Sequence, residues 1–180
     1  MGEAQVLLLP GWQRSGSGHW QSRWQALHGY ARVEQHDWQT PRRGDWLARL
    51  EETVIDAPAP LVLVAHSLGC LLLAAWARHS RHVARVRGAL LVAPPDLEQA
   101  AAAPPLPGWT PIVRERLPFP SLLVASQDDP YCTFDRAQEL ARSWGSRLVD
   151  AGARGHLNAE SGLGDWHEGL ELIRPWLDTD

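Results

Sequence analysis

Residues 61–70 run Leu61-Val62-Leu63-Val64-Ala65-His66-Ser67-Leu68-Gly69-Cys70, an apolar, partly β-branched segment that ends on a serine between small residues and passes into a helical pattern. The run predicts a buried strand, a sharp turn and a helix. A serine used for covalent chemistry must stand clear of its backbone at a strand end, and the turn that puts it there has no room for large side chains two positions to either side. Gly69 meets that need fully and Ala65 nearly, so the pattern is small-x-Ser-x-Gly, with alanine at the first glycine position. The same serine reads equally well as a plain N-cap of the helix that follows.

The rest of the chain supplies the strands and helices that such a turn needs. Short apolar runs alternate with longer amphipathic ones, which predicts βα units on a parallel sheet. Strands are expected near 5–9, 31–36, 60–66, 87–93, 119–126 and 146–150. Helices are expected near 19–28, 44–54, 68–79, 133–143 and 164–177, the last with Trp166, Leu170, Ile173 and Leu177 at helical spacing. Asp45 and Thr133 are start signals, with Ser17 or Gly18 as candidate caps of the first helix; Gly29 and Gly145 are stop signals. The stretch 94–118 is too long and too proline-rich for an ordinary crossover loop, and reads either as a flap or short helix packed over the strand ends or, equally, as a surface excursion with no role. With strand order 2-1-3-4-5-6, the ligand crevice falls between the loops after strands one and three, where Pro10-Gly11-Trp12 faces Ser67.

Composition narrows the partners. The 180 residues are read as one domain, 1–180, with a formal charge of −4 and with all 17 basic residues arginine, scattered rather than clustered. That excludes a nucleic-acid footprint. No segment approaches the ~18 apolar residues of a membrane span, and the short Val6–Leu9 run has no basic region before it, so the expectation is a soluble, cytoplasmic protein acting on a small molecule. A protein partner is left open. Cys70 and Cys132 fit neither a disulfide scaffold nor a metal-ligand spacing, so reduced thiols, no metal and no cofactor are expected.

A serine hydroxyl is a weak nucleophile and needs a histidine to take its proton and a carboxylate to orient that histidine. Of eight histidines, His156 lies in the loop after the sixth strand, beside Gly155, where the imidazole can swing over the strand ends. His28, His79, His82 and His167 are read as structural or surface residues. His66 adjoins the serine, points away from it, and is expected to pack or hydrogen-bond below the turn. The carboxylate is assigned to Asp129 at the end of the fifth strand, where Pro130 fixes the backbone. Asp128 is a turn residue or helper, and Asp96, after strand four, is a competitor. Oxyanion donors are expected from the backbone N–H groups of Leu68 and Trp12. Gly11, His19, Trp38 and Trp109 are candidate pocket residues, with Trp46 a further one; the alternative for these tryptophans is the core.

With these residues assembled, the chain resembles the retinoblastoma-binding-protein-9-like (YdeN-like) small serine hydrolases of the α/β-hydrolase superfamily. The resemblance rests on Leu9-Pro10-Gly11-Trp12, Ser17-Gly18-His19-Trp20 and Trp24, on Val64 to Cys70, on Ser126 to Cys132, and on Gly155-His156-Leu157-Asn158 with Ser161 to Gly164 and Trp166. It implies a minimal α/β-hydrolase fold, α/β in class, with about six mostly parallel strands, helices on both faces and no separate cap domain. It also implies a triad of Ser67, Asp129 and His156, in the chain order of α/β-hydrolases. In one respect the chain departs from the family: Trp166 is followed by His167 rather than proline, which bears on the first turn of the last helix. The activity expected is hydrolysis of small carboxylic esters, thioesters or activated amides, an esterase reading. The alternatives are a small peptidase or amidase, and a catalytically idle binding protein on a hydrolase scaffold.

Overall fold

The computed structural model describes residues 3–58, 60–99, 101 and 104–178. Its elements run β1 (Gln5–Leu9), α1 (Trp20–His28), β2 (Ala31–Arg32), α2 (Arg43–Asp56), β3 (Leu61–His66), α3 (Leu68–His79), β4 (Val86–Val92), β5 (Ser121–Ala125), α4 (Phe134–Trp144), β6 (Arg147–Asp150) and α5 (His167–Leu177). The six strands form one sheet in the order β2-β1-β3-β4-β5-β6, every neighbouring pair parallel. This is an α/β-hydrolase fold, and the described residues form no separate cap domain.

The inner strands β1, β3, β4 and β5 are apolar at most positions because both faces of the sheet are covered there, as parallel sheets require. Alternate residues go to opposite faces. Leu61, Leu63 and Ala65 join Leu7, Leu91 and Leu123 in one core with α2, α3 and α4. Val62 and Val64 join Val6, Leu8, Leu90 and Val124 in the other, against Trp20 and Trp24 of α1 and Ile173 of α5. The central helix α3 is buried from Leu68 to Trp76, so it sits in the core beside the strand that feeds it.

Three segments differ from the sequence expectation. β2 is two residues long rather than six, because its register sets Arg32 opposite Leu8 and β1 ends one residue later. Val33 N–H still donates to the Leu8 carbonyl at 2.9 Å, after which no partner strand remains. α5 starts at His167 rather than 164, because Trp166 takes a left-handed conformation (φ 44°) and the Asp165 carbonyl is used by the Trp24 indole at 2.7 Å. The segment 94–118 contains no helix among its described residues; Ala100, Ala102 and Ala103, in its alanine-rich part, lie outside them. It is tied down instead by Glu98, whose carboxylate accepts from Ile112 N–H, both terminal nitrogens of Arg114 and the Arg136 guanidinium, at 2.8–3.0 Å. Hydrogen bonds from Arg114 hold the Glu98 carboxyl down to about 2 against the opposing effect of burial. No helix among the described residues is long and apolar enough to cross a membrane.

Candidate active site

The turn between β3 and α3 is built by close approach. A Cβ on Gly69 would overlap the Leu9 carbonyl oxygen, so only glycine lets the first turn of α3 lie against β1. Ser67 has φ 54° and ψ −123°, a conformation L-residues rarely adopt, and its side chain makes no cap hydrogen bond. Ser67 thus stands at the N-cap position of α3 without capping the helix with its hydroxyl. Ser67 N–H donates to Val92 O at 2.9 Å, which keeps the turn in register with the sheet although its side chain is thrown outward.

Ser67, His156 and Asp129 come together from three strand ends. His156 Nε2 lies 2.9 Å from Ser67 Oγ, and His156 Nδ1 lies 3.0 Å from each carboxylate oxygen of Asp129. The Asp129 side chain is 3% exposed and that of His156 10%, so the pair is shielded from bulk water. Asp129 Oδ1 also accepts Tyr131 N–H at 2.9 Å, and the Tyr131 ring meets the His156 imidazole edge-on. A hydroxyl facing an imidazole whose other nitrogen faces a carboxylate is the arrangement that general-base activation of serine requires.

The competing carboxylates are otherwise engaged. Asp96 pairs with Arg136 at 3.2 Å and accepts Glu98 and Gln99 N–H, closing its own turn. Asp128 accepts from Ser126 Oγ at 2.9 Å and from Gly155 N–H at 2.7 Å, which holds its carboxyl below the ordinary range. It braces the loop that carries His156. His66 braces the same loop, its Nε2–H donating to the His156 carbonyl at 3.0 Å; burial and the neighbouring His19 and His156 push its pKa well down. The Trp20 indole donates to Leu157 O at 2.8 Å and Ser126 Oγ accepts Arg154 N–H at 2.8 Å. The sequence flagged Trp20 and Trp24 only as part of a resemblance; both are anchors of the 155–166 loop.

The loop after β1 packs directly on the Ser67 turn. A Cβ on Gly11 would fall 3.0 Å from Ser67 Cβ and 3.3 Å from Leu68 N. The Trp12 indole is fastened to Gln39 O at 2.9 Å, so the Gly11–Trp12 backbone is fixed beside the first turn of α3. A cavity of about 480 Å³ opens here, lined by Gly11, Trp12, His19, Ser67, Leu68 and His156 among others. Pro95, Leu97, Pro104 and Leu106 of the long segment form an apolar wall, and Tyr131, Asn158 and Glu160 complete the rim. None of these seven was singled out as lining: each is set by a distant loop and carries no local pattern.

Trp38 and Trp109 do not line this cavity, and nor does Trp46. Trp46 sits edge-on to both Trp38 and Trp109 at 5.5–5.6 Å, and Trp109 is 2% exposed with its indole donating to Pro41 O. These rings extend the core outside α2, where the Trp46 and Trp109 indoles donate to the Asp37 and Pro41 carbonyls. Cys70 and Cys132 are buried free thiols; burial raises both pKa values, Cys132 to about 12. No cluster of metal-ligating side chains exists among the described residues.

Comparison with known proteins agrees with this architecture. A YdeN-like hydrolase from Pectobacterium atrosepticum superposes with a TM-score of 0.85 at 30% identity, over 97% of this chain and 90% of that one. The ydeN gene product of Bacillus subtilis matches at 0.74 and 20% identity, over 98% and 100%. An esterase from a Rhodococcus species shares the fold at 0.68 and 14% identity, over 97% and 90%. No curated protein sequence matches the chain. The serine hydrolase family model matches residues 6–175, nearly the whole length, so the chain belongs to the serine hydrolase family as an α/β-hydrolase-type enzyme.

Proposed function

We propose that the protein hydrolyses small carboxylic esters or thioesters, and activated amides, through an acyl-enzyme on Ser67. The observation that carries this reading is the unbroken relay from the Asp129 carboxylate through His156 to Ser67 Oγ, at 3.0 and 2.9 Å. His156 Nε2 takes the hydroxyl proton as Oγ attacks the acyl carbon, and Asp129 holds the tautomer that leaves Nε2 free to do so. The developing oxyanion is taken by the backbone N–H groups of Trp12 and Leu68, aided by the positive end of α3. Collapse breaks the bond to the alcohol or thiol, which leaves with the proton from His156. Water then gives a proton to His156 and attacks the acyl carbon; the acid departs and the proton returns to Ser67.

A cavity of about 480 Å³ lies within the ordinary range for small-molecule sites, and its apolar wall suits a hydrocarbon acyl group. The Rhodococcus esterase of the same fold points in the same direction. The test is labelling with a fluorophosphonate together with turnover of p-nitrophenyl esters. Wild type is expected to label at Ser67 and Ser67→Ala to do neither; a folded wild type that neither labels nor turns over an ester would overturn the reading.

A further inference from the structure

His19 holds a hydrogen-bond donor that no described residue of the protein accepts from. It stands immediately before α1, where serine, threonine or aspartate is the ordinary cap, and its Nδ1 accepts the Gln21 backbone N–H at 3.1 Å. Accepting that bond requires a bare Nδ1, so the neutral ring carries its proton on Nε2. The residue is 4% exposed, its ring lies edge-on to His66 at 4.6 Å and against Trp20 at 5.3 Å, and its own N–H is tied to Gly16 O. The imidazole is therefore fixed in direction as well as in tautomer. Its Nε2 is buried without a hydrogen-bond partner among the described residues, in a residue that lines the cavity shared with Ser67 and His156.

The loop around it is built to stay put. Gln21, wholly buried, accepts from Ser15 Oγ at 3.0 Å and donates to the Leu9 and Val64 carbonyls at 3.3 and 3.1 Å, fastening the start of α1 to the ends of β1 and β3. Burial, with the charge of Arg32, lowers the His19 pKa to about 3, so the ring stays a neutral donor wherever an ester hydrolase works. A serine here would cap the helix without a stranded donor, and a stranded buried donor is costly. A preoriented donor in a substrate cavity is the device by which a site rejects analogues lacking the matching acceptor.

We propose that His19 Nε2–H is a specificity-determining donor to a second oxygen of the substrate, distinct from the reacting carbonyl, so that the enzyme selects oxygen-bearing esters over plain hydrocarbon ones. The proposal rests on the hydrolase reading above. The reacting carbonyl oxygen is served by Trp12 and Leu68, and the hydrocarbon part lies on the wall of Pro95, Leu97, Pro104 and Leu106. The donor on the His19 side is left for an ether, hydroxyl or further carbonyl oxygen of the acyl chain or of the alcohol.

Two variants separate this role from capping. His19→Asn keeps an oxygen that can accept Gln21 N–H but has no donor at the Nε2 position. His19→Gln gives up the short cap and sets an amide N–H near that position. Each is assayed on p-nitrophenyl hexanoate and its analogues with one methylene replaced by an ether oxygen at each position in turn. The same replacement is scanned through the alcohol of hexyl butyrate. At one position, His19→Asn is expected to lower the kcat/KM ratio of ether to hydrocarbon substrate about tenfold. His19→Gln restores that ratio although its Tm is the lower of the two. The acyl and alcohol scans tell which side of the ester carries the oxygen. Unchanged ratios throughout both scans, or losses that follow Tm alike on all substrates, overturn the proposal while wild-type turnover keeps the hydrolase reading intact. Wild type inactive on every ester overturns both.

Discussion

The serine and the histidine of the site are held by different means. Ser67 is placed by its own few neighbours: the buried run Leu61–His66 drives it to the strand end, Gly69 lets α3 close against Leu9, and the backbone at Ser67 absorbs the sharp turn. His156 lies in a loop with little regular structure of its own and is placed by side chains from across the chain, among them His66, Trp20, Ser126 and Asp128. A turn built by backbone sterics fails as a packing defect; a loop built by hydrogen bonds fails as a loss of aim. Damage to the first lowers stability and rate together, whereas damage to the second lowers rate with the fold intact.

The largest effect belongs to Asp129, the partner of the proposed base. Asp129→Asn should cut ester turnover by about 10³–10⁴-fold with little change in Tm, because the amide favours the wrong imidazole tautomer. Asp96→Asn, read in parallel, should leave turnover within about twofold while lowering Tm through the loss of its Arg136 partner. A larger rate loss at Asp96 would reverse the assignment. Next comes Gly69→Ala, which forces a methyl onto a backbone oxygen and should cost about 1–3 kcal/mol or more, read as a fall in Tm with rate falling alongside. Unchanged Tm with full activity would show that the turn is not held by this contact.

Smaller effects test the loop. Asp128→Ala removes an exposed carboxylate that holds Gly155 N–H, so kcat should drop about tenfold with Tm nearly unmoved. A last test reads a slope of stability against pH rather than a rate. His19 and His66 bind protons more weakly folded than unfolded, so protonation favours the unfolded chain. Stability should be full above the ordinary imidazole value of 6.5 and should fall as pH drops below it, the His19 part being lost progressively down to about 3. Each histidine contributes up to about 1.4 kcal/mol per pH unit. Denaturant unfolding at successive pH values checks this, and His19→Asn should remove one proton from the slope.

The same contrast explains what could be read without coordinates. The Ser67 turn was legible because a strand, a small-residue turn and a helix must lie in consecutive residues, and the parallel arrangement followed from strands apolar on both faces. The convergence of Asp129 and His156 on Ser67 was legible through the strand ends they follow. The bracing of His156 was not, because a tryptophan in α1 bonding a carbonyl 137 positions away leaves no periodicity. Trp38 and Trp109 misled for a related reason: a large ring near a strand end fits pocket and core alike, and only the Pro41 acceptor and the neighbouring ring of Trp46 decide between them. The cap of α1 was placed at Ser17 or Gly18, whereas His19 takes it, against the usual residue preference.

The short outer strands bear on how these molecules meet one another. A sheet ends in rows of unpaired backbone donors and acceptors, which a strand of another molecule can join. At one border this sheet offers only Ala31 and Arg32, and the Arg32 guanidinium is turned onto Ser15 O and Ser22 Oγ. At the other it offers four residues whose outermost members, Arg147 and Asp150, are exposed and charged. Neither border is long or apolar enough to template a growing ladder, so the hydrophobic strands at the centre are guarded from intermolecular pairing by their own outermost neighbours.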